Sequence, residues 1–184
     1  GVRLVGSEMC IRDSVYTNDG FPANLTSIKF NSMQSIWSSE GTYDYGAVPS
    51  GIHTARAYFM NDGHTVVYRK VLVDSDTSID WYEGKNWATF KLLDEQGMPV
   101  SGESDATVEI LETGESLTLH GVVSELGPYD IGAYYNIRVD HGTDGGPHQH
   151  VHFRMEPGSS SNPWPNDFEF RPGHNSKYGY LLNP

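Results

Sequence analysis

Apolar and polar residues alternate in short runs along this chain. "TVVYRKVLVD" (Thr65 to Asp74), "ATFKLLD" (Ala88 to Asp94), "ATVEILE" (Ala106 to Glu112) and "YYNIRVD" (Tyr134 to Asp140) are rich in Val, Ile, Tyr, Phe and Thr, and each has the length of one strand. Between them stand turn-forming clusters, Asn18-Asp19-Gly20, Asn61-Asp62-Gly63 and Glu95-Gln96-Gly97. Nowhere do apolar residues keep the i, i+3, i+4 spacing of a helix beyond about one turn. Short strands at short spacing predict an all-β chain built as a sandwich or barrel.

An internal repeat divides the chain. "YTNDGFPANLTSIKF" (Tyr16 to Phe30) and "LLDEQGMPVSGESDATVEI" (Leu92 to Ile110) both run from a strand through a polar turn into Gly-x-Pro and on to a second strand. Gly20 and Gly97, like Pro22 and Pro99, are 77 apart. A glycine-bearing strand follows in each, "PSGIHTARAYF" (Pro49 to Phe59) and "LGPYDIGAYYNIRV" (Leu126 to Val139). The pattern predicts two tandem small antiparallel β-sandwich modules, over 15–82 and 87–156, joined near "DWYEGKNW" (Asp80 to Trp87). Residues 157–184 open with a Pro/Ser/Asn-rich stretch that ends in an alternating run at Phe170, and read as a linker or the start of a further β element, or as a long loop returning an edge strand to the second module.

The N-terminus changes how composition is read. "GSEMCIRDS" (Gly6 to Ser14) has neither strand alternation nor a helical stripe and reads as translated transposase-adapter sequence, so residues 1–14 are expected to be an artefact of library preparation. The chain begins without Met and stops at "YLLNP" (Tyr180 to Pro184), and is expected to be a fragment open at both ends. Its only cysteine, Cys10, falls in the suspect segment. The remainder then has no disulfide framework, no Cys-zinc site and no thiol nucleophile. Twelve basic against twenty-four acidic side chains leave a net charge of −12, a surface that repels nucleic acid and anionic lipid.

In its Gly-x-Pro turn, "VPSGIHTARAYF" and "VVYRKVLVD", the chain resembles the prealbumin-like (Ig-like) sandwich of carboxypeptidase regulatory-like domains. That resemblance covers most of Val15 to Met155. It implies an extracellular or cell-surface setting, neighbouring domains in the same chain, and a spacing or adhesive task with a glycan or protein ligand, without catalysis or membrane insertion. In the second module, "DEQGMPVSG", "ATVEI", "HVHF" (His150 to Phe153) and "FEFRPG" (Phe168 to Gly173) follow the order of segments in intradiol ring-cleavage dioxygenases. The resemblance implies a ferric ion, with His150 and His152 as the histidine ligands and Tyr135 near the place of a tyrosine ligand. The stretch where another tyrosine ligand would fall, Glu112 to His120, reads "ETGESLTLH".

The residues themselves give a second account of "GPHQHVHF" (Gly146 to Phe153). On a strand His148, His150, His152 and Arg154 share one face, while Gln149, Val151, Phe153 and Met155 share the other. The apolar set belongs in the core, which turns the histidines outward. Same-face neighbours lie about 6.5–7 Å apart, so two adjacent imidazoles can converge on one Fe, Zn or Cu ion. Further ligands would come from Asp140, His141, Asp144, Glu156 or His174. A solvated structural strand and a pH-sensitive surface stand as alternatives. His53, His64 and His120 are isolated and read as structural.

Other chemistry is weaker. Asp140 and Asp144 in "DHGTDGG" could offer oxygen to calcium, but the twelve-residue helix-flanked loop is absent. Trp81, Tyr82 and Trp87 cluster at the module junction, where they would pack or stack on a sugar. Asn24-Leu25-Thr26 is a glycan acceptor sequence if the protein is exported. The absence of a Gly-x-Ser-x-Gly elbow or a phosphate-cradling glycine loop sets aside nucleophilic hydrolysis and nucleotide binding. The sequence therefore supports an exported, non-catalytic pair of binding or spacer modules with a candidate histidine metal site, and alternatively a divergent non-haem iron dioxygenase-like domain.

Overall fold

The computed structural model describes residues 8–17, 26–31, 36–38, 42–59, 65–94, 96–100, 106–119, 124–140 and 149–170. Over these residues the chain is all-β and divides into two compact units, Gly1–Lys85 with Pro157–Trp164, and Asn86–Glu156 with Pro165–Pro184.

In the first unit β1 (Glu8–Tyr16), β4 (Thr42–Pro49) and β7 (Thr77–Tyr82) form one sheet in the order β4-β1-β7. The second sheet runs β3-β2-β5-β6, from β2 (Thr26–Phe30), β3 (Ile36–Ser38), β5 (Gly51–Phe59) and β6 (Thr65–Val73). Alternation decides which residues go inside. Along β5, Ala55, Ala57 and Phe59 are buried and the residues between them are not. Ile28, Phe30, Val67, Val71 and Val73 are buried in the same sheet, and Ile11, Val15, Val48, Ile79 and Trp81 in the other. Phe30 touches Tyr45 with ring centroids 5.6 Å apart, joining the two sheets.

The second unit repeats this plan. One sheet is β11-β8-β14, from β8 (Lys85–Leu92), β11 (Ser124–Asp130) and β14 (Asp167–Phe170). The other is β10-β9-β12-β13, from β9 (Thr107–Ile110), β10 (Glu115–Thr118), β12 (Tyr134–Asp140) and β13 (Gln149–Arg154). Both orders are those of the first unit advanced by seven strands. Most pairs are antiparallel; β1 with β7 and β8 with β14 run parallel, at equivalent places. The core joins both sheets through Ala88, Phe90, Val108, Ile110, Ile137, Val139, Val151, Phe168 and Phe170, with Phe90 stacked on Phe168 and Phe170. The Gly-x-Pro turn is built as its residues require. Gly97 takes φ +82°, which favours glycine, and Pro99 bridges back to Leu93.

The N-terminal segment behaves differently from its reading as sequence. Glu8–Ser14, set aside above as adapter-derived, forms most of β1 in the centre of a sheet. Its alternation was hidden because one inward position is charged: Ile11, Asp13 and Val15 are fully buried, with Arg12 exposed between them. The 77-residue shift that relates Gly20 to Gly97 carries β1 onto Lys85–Leu93 and places Asp13 where the second unit has Phe90.

The stretch after Met155 is a long connection that returns an edge strand, β14, to the second unit, and it passes over the first unit on the way. Pro157–Trp164 belongs to the first unit, where Gly158 N donates to Val66 O at 2.8 Å on the outer edge of β6. Trp164 packs on Tyr68 at 5.8 Å and under the Lys70 ammonium at 4.6 Å. A Cβ on Gly158 would come within 2.7 Å of the Tyr68 ring and 3.1 Å of two carbonyl oxygens, so only glycine lets the strap lie this close. The strap covers part of an otherwise open sheet edge.

On either side of it, in the second unit, a buried asparagine clamp closes the excursion. Glu156 N donates to Asn166 Oδ1 at 3.0 Å, and Asn166 Nδ2 donates to Glu156 O at 2.9 Å. Asn86 Nδ2 adds a second bond to the same carbonyl at 2.8 Å. Asn166 thereby replaces a strand partner with its own amide.

Candidate functional site

The candidate face lies on the sheet of β9, β12 and β13. In β13, Gln149 and Val151 are buried, Phe153 is partly so, and Met155 beyond the strand is fully buried; His150 is half-buried and His152 and Arg154 are exposed. The register pairs Arg138 with His150, Asn136 with His152 and Tyr134 with Arg154, so these six side chains share the outward face. His150 and His152 are thus brought together. His148, His174, His141 and Asp144 lie outside the described residues.

Tyr135 goes the other way. It pairs with Phe153 and faces the core, its ring 4.9 Å from Tyr129 and 5.9 Å from Phe153. Its hydroxyl accepts a hydrogen bond from Asp130 N at 3.0 Å. One residue's difference in strand position separates it from the imidazoles by the thickness of the sheet, so the three do not converge on one ion. A ferric centre of two histidines with Tyr135 does not fit these residues. Tyr129 is likewise engaged: its hydroxyl donates to Glu115 Oε2 at 2.6 Å, and burial, with the Glu115 carboxylate, pushes its pKa well above the ordinary tyrosine value.

On the outward face His152 has a defined environment. Its Nδ1 lies 2.9 Å from Asn136 Oδ1, and Tyr134 stacks flat on its ring with centroids 5.3 Å apart and planes 3° from parallel. Asn136 is itself held by Glu112, whose carboxylate accepts from Asn136 N at 2.8 Å and from Asn136 Nδ2. Partial burial pulls the Glu112 pKa up, but the two Asn136 bonds and the neighbouring His152 outweigh it and hold it below the usual carboxylate value. Arg138 is paired with Asp140 at 3.1 Å, and Arg154 with Glu156 at 3.0 Å. Among the described residues, no group of three or more His, Cys, Asp or Glu side chains surrounds a common point. A metal here would rest on two imidazoles and water.

Asn136 and Glu112 were missed as sequence because only the register of three strands brings them to His152. The remaining candidates have structural partners. His53 Nε2 donates to Pro49 O at 2.7 Å and its Nδ1 accepts from Asn31 Nδ2, while Asn31 Oδ1 accepts from Thr54 N at 2.9 Å. His64 and His120 lie outside the described residues, as do Asn24 and most of "DHGTDGG". Trp81 and Trp87 are each buried within their own unit, and Tyr82 stacks on Tyr16 at 5.2 Å. Among the described residues no helix is long and apolar enough to cross a membrane.

No family profile and no curated protein matches the chain. Among solved structures it is similar to the Bacillus anthracis TIE protein at 12% identity and TM-score 0.34, over 92% of this chain; this chain spans only 34% of that one. It is also similar to a DUF3823 family protein from Bacteroides uniformis (10% identity, TM-score 0.33, 82% of this chain and 97% of that one). A C-terminal fragment of pilus adhesin SpaC from Lactobacillus rhamnosus GG gives 11% identity and TM-score 0.31, over 96% and 99% of the two chains. Identities and scores this low transfer no function.

Proposed function

We infer that the chain is a non-catalytic pair of β-sandwich modules from an exported or cell-surface protein, that it serves for spacing and binding, and that His150 and His152 bind a transition-metal ion. The observation that carries the reading is the division of β12 and β13 into two faces. The imidazoles stand on the outward face, while Tyr135, which an iron oxygenase site would need beside them, is committed to the core. Two same-face imidazoles about 7 Å apart along a strand suit a borderline ion with water in the remaining positions.

Calorimetric titration of the full chain with zinc, copper and ferric ions tests it, alongside a His150→Ala, His152→Ala double variant and an assay for catechol ring cleavage. Zinc or copper binding that disappears in the double variant, with no purple-red tyrosinate-to-iron band and no ring cleavage, is the expected result. A tyrosinate band with ring cleavage would overturn the reading in favour of the dioxygenase-like alternative. Binding retained by the double variant would remove the metal assignment.

A further inference from the structure

The second unit holds one of its outward imidazoles in a single protonation geometry. Glu112 carries only acceptors, so the two Asn136 groups that meet it, the backbone N–H and the side-chain Nδ2, are both donors. This fixes the direction of the Asn136 amide and leaves Oδ1 facing His152 at 2.9 Å. A carbonyl oxygen only accepts; His152 Nδ1 must therefore carry the hydrogen, and in the neutral ring the lone pair is on Nε2. That nitrogen has no partner among the described residues. Tyr134, flat against the ring, restricts its rotation.

Metal-binding imidazoles are supported in this manner, with one nitrogen donating to a polar partner that orients the ring and raises the basicity of the other. The electrostatics of the face permit a cation. Arg138, the cross-strand neighbour of His150, is neutralised by Asp140; Arg154 is neutralised by Glu156 and also donates to Gly132 O at 3.1 Å; Glu109 and Glu112 add negative charge.

We propose that Asn136 and Glu112 are positioning residues that present the Nε2 lone pair of His152, and that with His150 it chelates a divalent ion of the Cu(II), Ni(II) or Zn(II) class. Hard cations such as calcium are excluded by the nitrogen ligands. The inference rests on the metal reading above and adds to it a named donor atom, a tautomer and the residues that impose it.

The test uses the full chain and Cu(II) as the probe, with long-range proton-nitrogen spectra of the imidazoles recorded before metal is added. The wild type is expected to show His152 protonated on Nδ1 and to bind Cu(II), and His152→Ala to lose binding. Asn136→Ala is expected to mix the tautomers and weaken binding about tenfold. Glu112→Gln, on an exposed turn where folding is not at risk, is expected to act in the same direction. If the wild type binds and both variants bind equally tightly, or if His152 is protonated on Nε2, this inference falls and the metal reading survives. If the wild type does not bind Cu(II), both fall together.

Discussion

Replacing Asp13 by Asn should stabilise the first unit at neutral pH and remove most of its pH dependence between 4 and 7. Asp13 is fully buried in β1. Burial raises its pKa from 3.8 to about 7, against the opposing pull of the Trp81 Nε1–H bond, the Arg69 charge and the Tyr45 hydroxyl. Trp81 Nε1 donates to Oδ2 at 3.0 Å, a bond that the amide oxygen of an asparagine can still accept. Folding therefore strengthens the hold on this proton. Below about pH 3.9 the group is protonated folded and unfolded, and its effect on stability is at its best. As pH rises towards 7 the unfolded chain releases the proton first and stability declines by ~1.4 kcal/mol per pH unit. Above 7 both states are ionised and the loss levels off at ~4 kcal/mol.

Urea unfolding followed by tryptophan fluorescence, at intervals from pH 4 to 8, measures this directly. The difference between variant and wild type isolates Asp13 from other titrating groups, including Glu112, whose shift has the opposite sign and works in the other unit. The two proteins should be nearly equal at pH 4 and should diverge by a few kcal/mol at pH 8, with the Asp13→Asn variant the more stable. Parallel stability curves would refute the reasoning, since they would mean that the residue ionises as freely in the folded state as in the unfolded one.

Phe90→Asp, which places in the second unit the residue that the first has at the equivalent position, should cost about 4 kcal/mol or more through lost ring packing and a buried charge, measured by the same unfolding assay. Asn166→Ala removes both bonds to the Glu156 backbone and should destabilise the second unit by about 2 kcal/mol, with faster hydrogen exchange at the Glu156 amide. Gly158→Ala should cost about 1–3 kcal/mol and release the protection of the Gly158 amide, because the added Cβ collides with the Tyr68 ring.

Period-two patterning made the strands of the second unit legible, and it correctly turned His150 and His152 outward before any register was known. It failed at β1, where the inward Asp13 stands in place of an apolar residue and the segment reads as foreign to the fold. At Pro157–Trp164 the Pro, Ser and Asn content gave no sign of the strap, although the alternating run after it marked β14, the edge strand that returns to the second unit. Those residue types reflect the lack of a long strand there; the anchoring is done by one glycine amide and one tryptophan ring. The asparagines that matter most, Asn86, Asn136 and Asn166, looked like ordinary turn or strand residues. Their roles depend on partners that are 70, 24 and 10 positions away, and single-sequence periodicity carries no information about such pairings.

The strap on β6 also imposes an order in time. Val66 leaves the ribosome long before Gly158 and Trp164 exist, so the nascent first unit presents that edge uncovered while the intervening chain is synthesised. At about 5–20 residues per second, the interval from Lys85 to Trp164 is roughly 4–16 s. Throughout it, the half-made protein exposes backbone donors and acceptors to any other extended chain nearby. Completion of the first unit is thus delayed until most of the second has been translated, and a release of the chain before Trp164 would leave a fragment with an adhesive border.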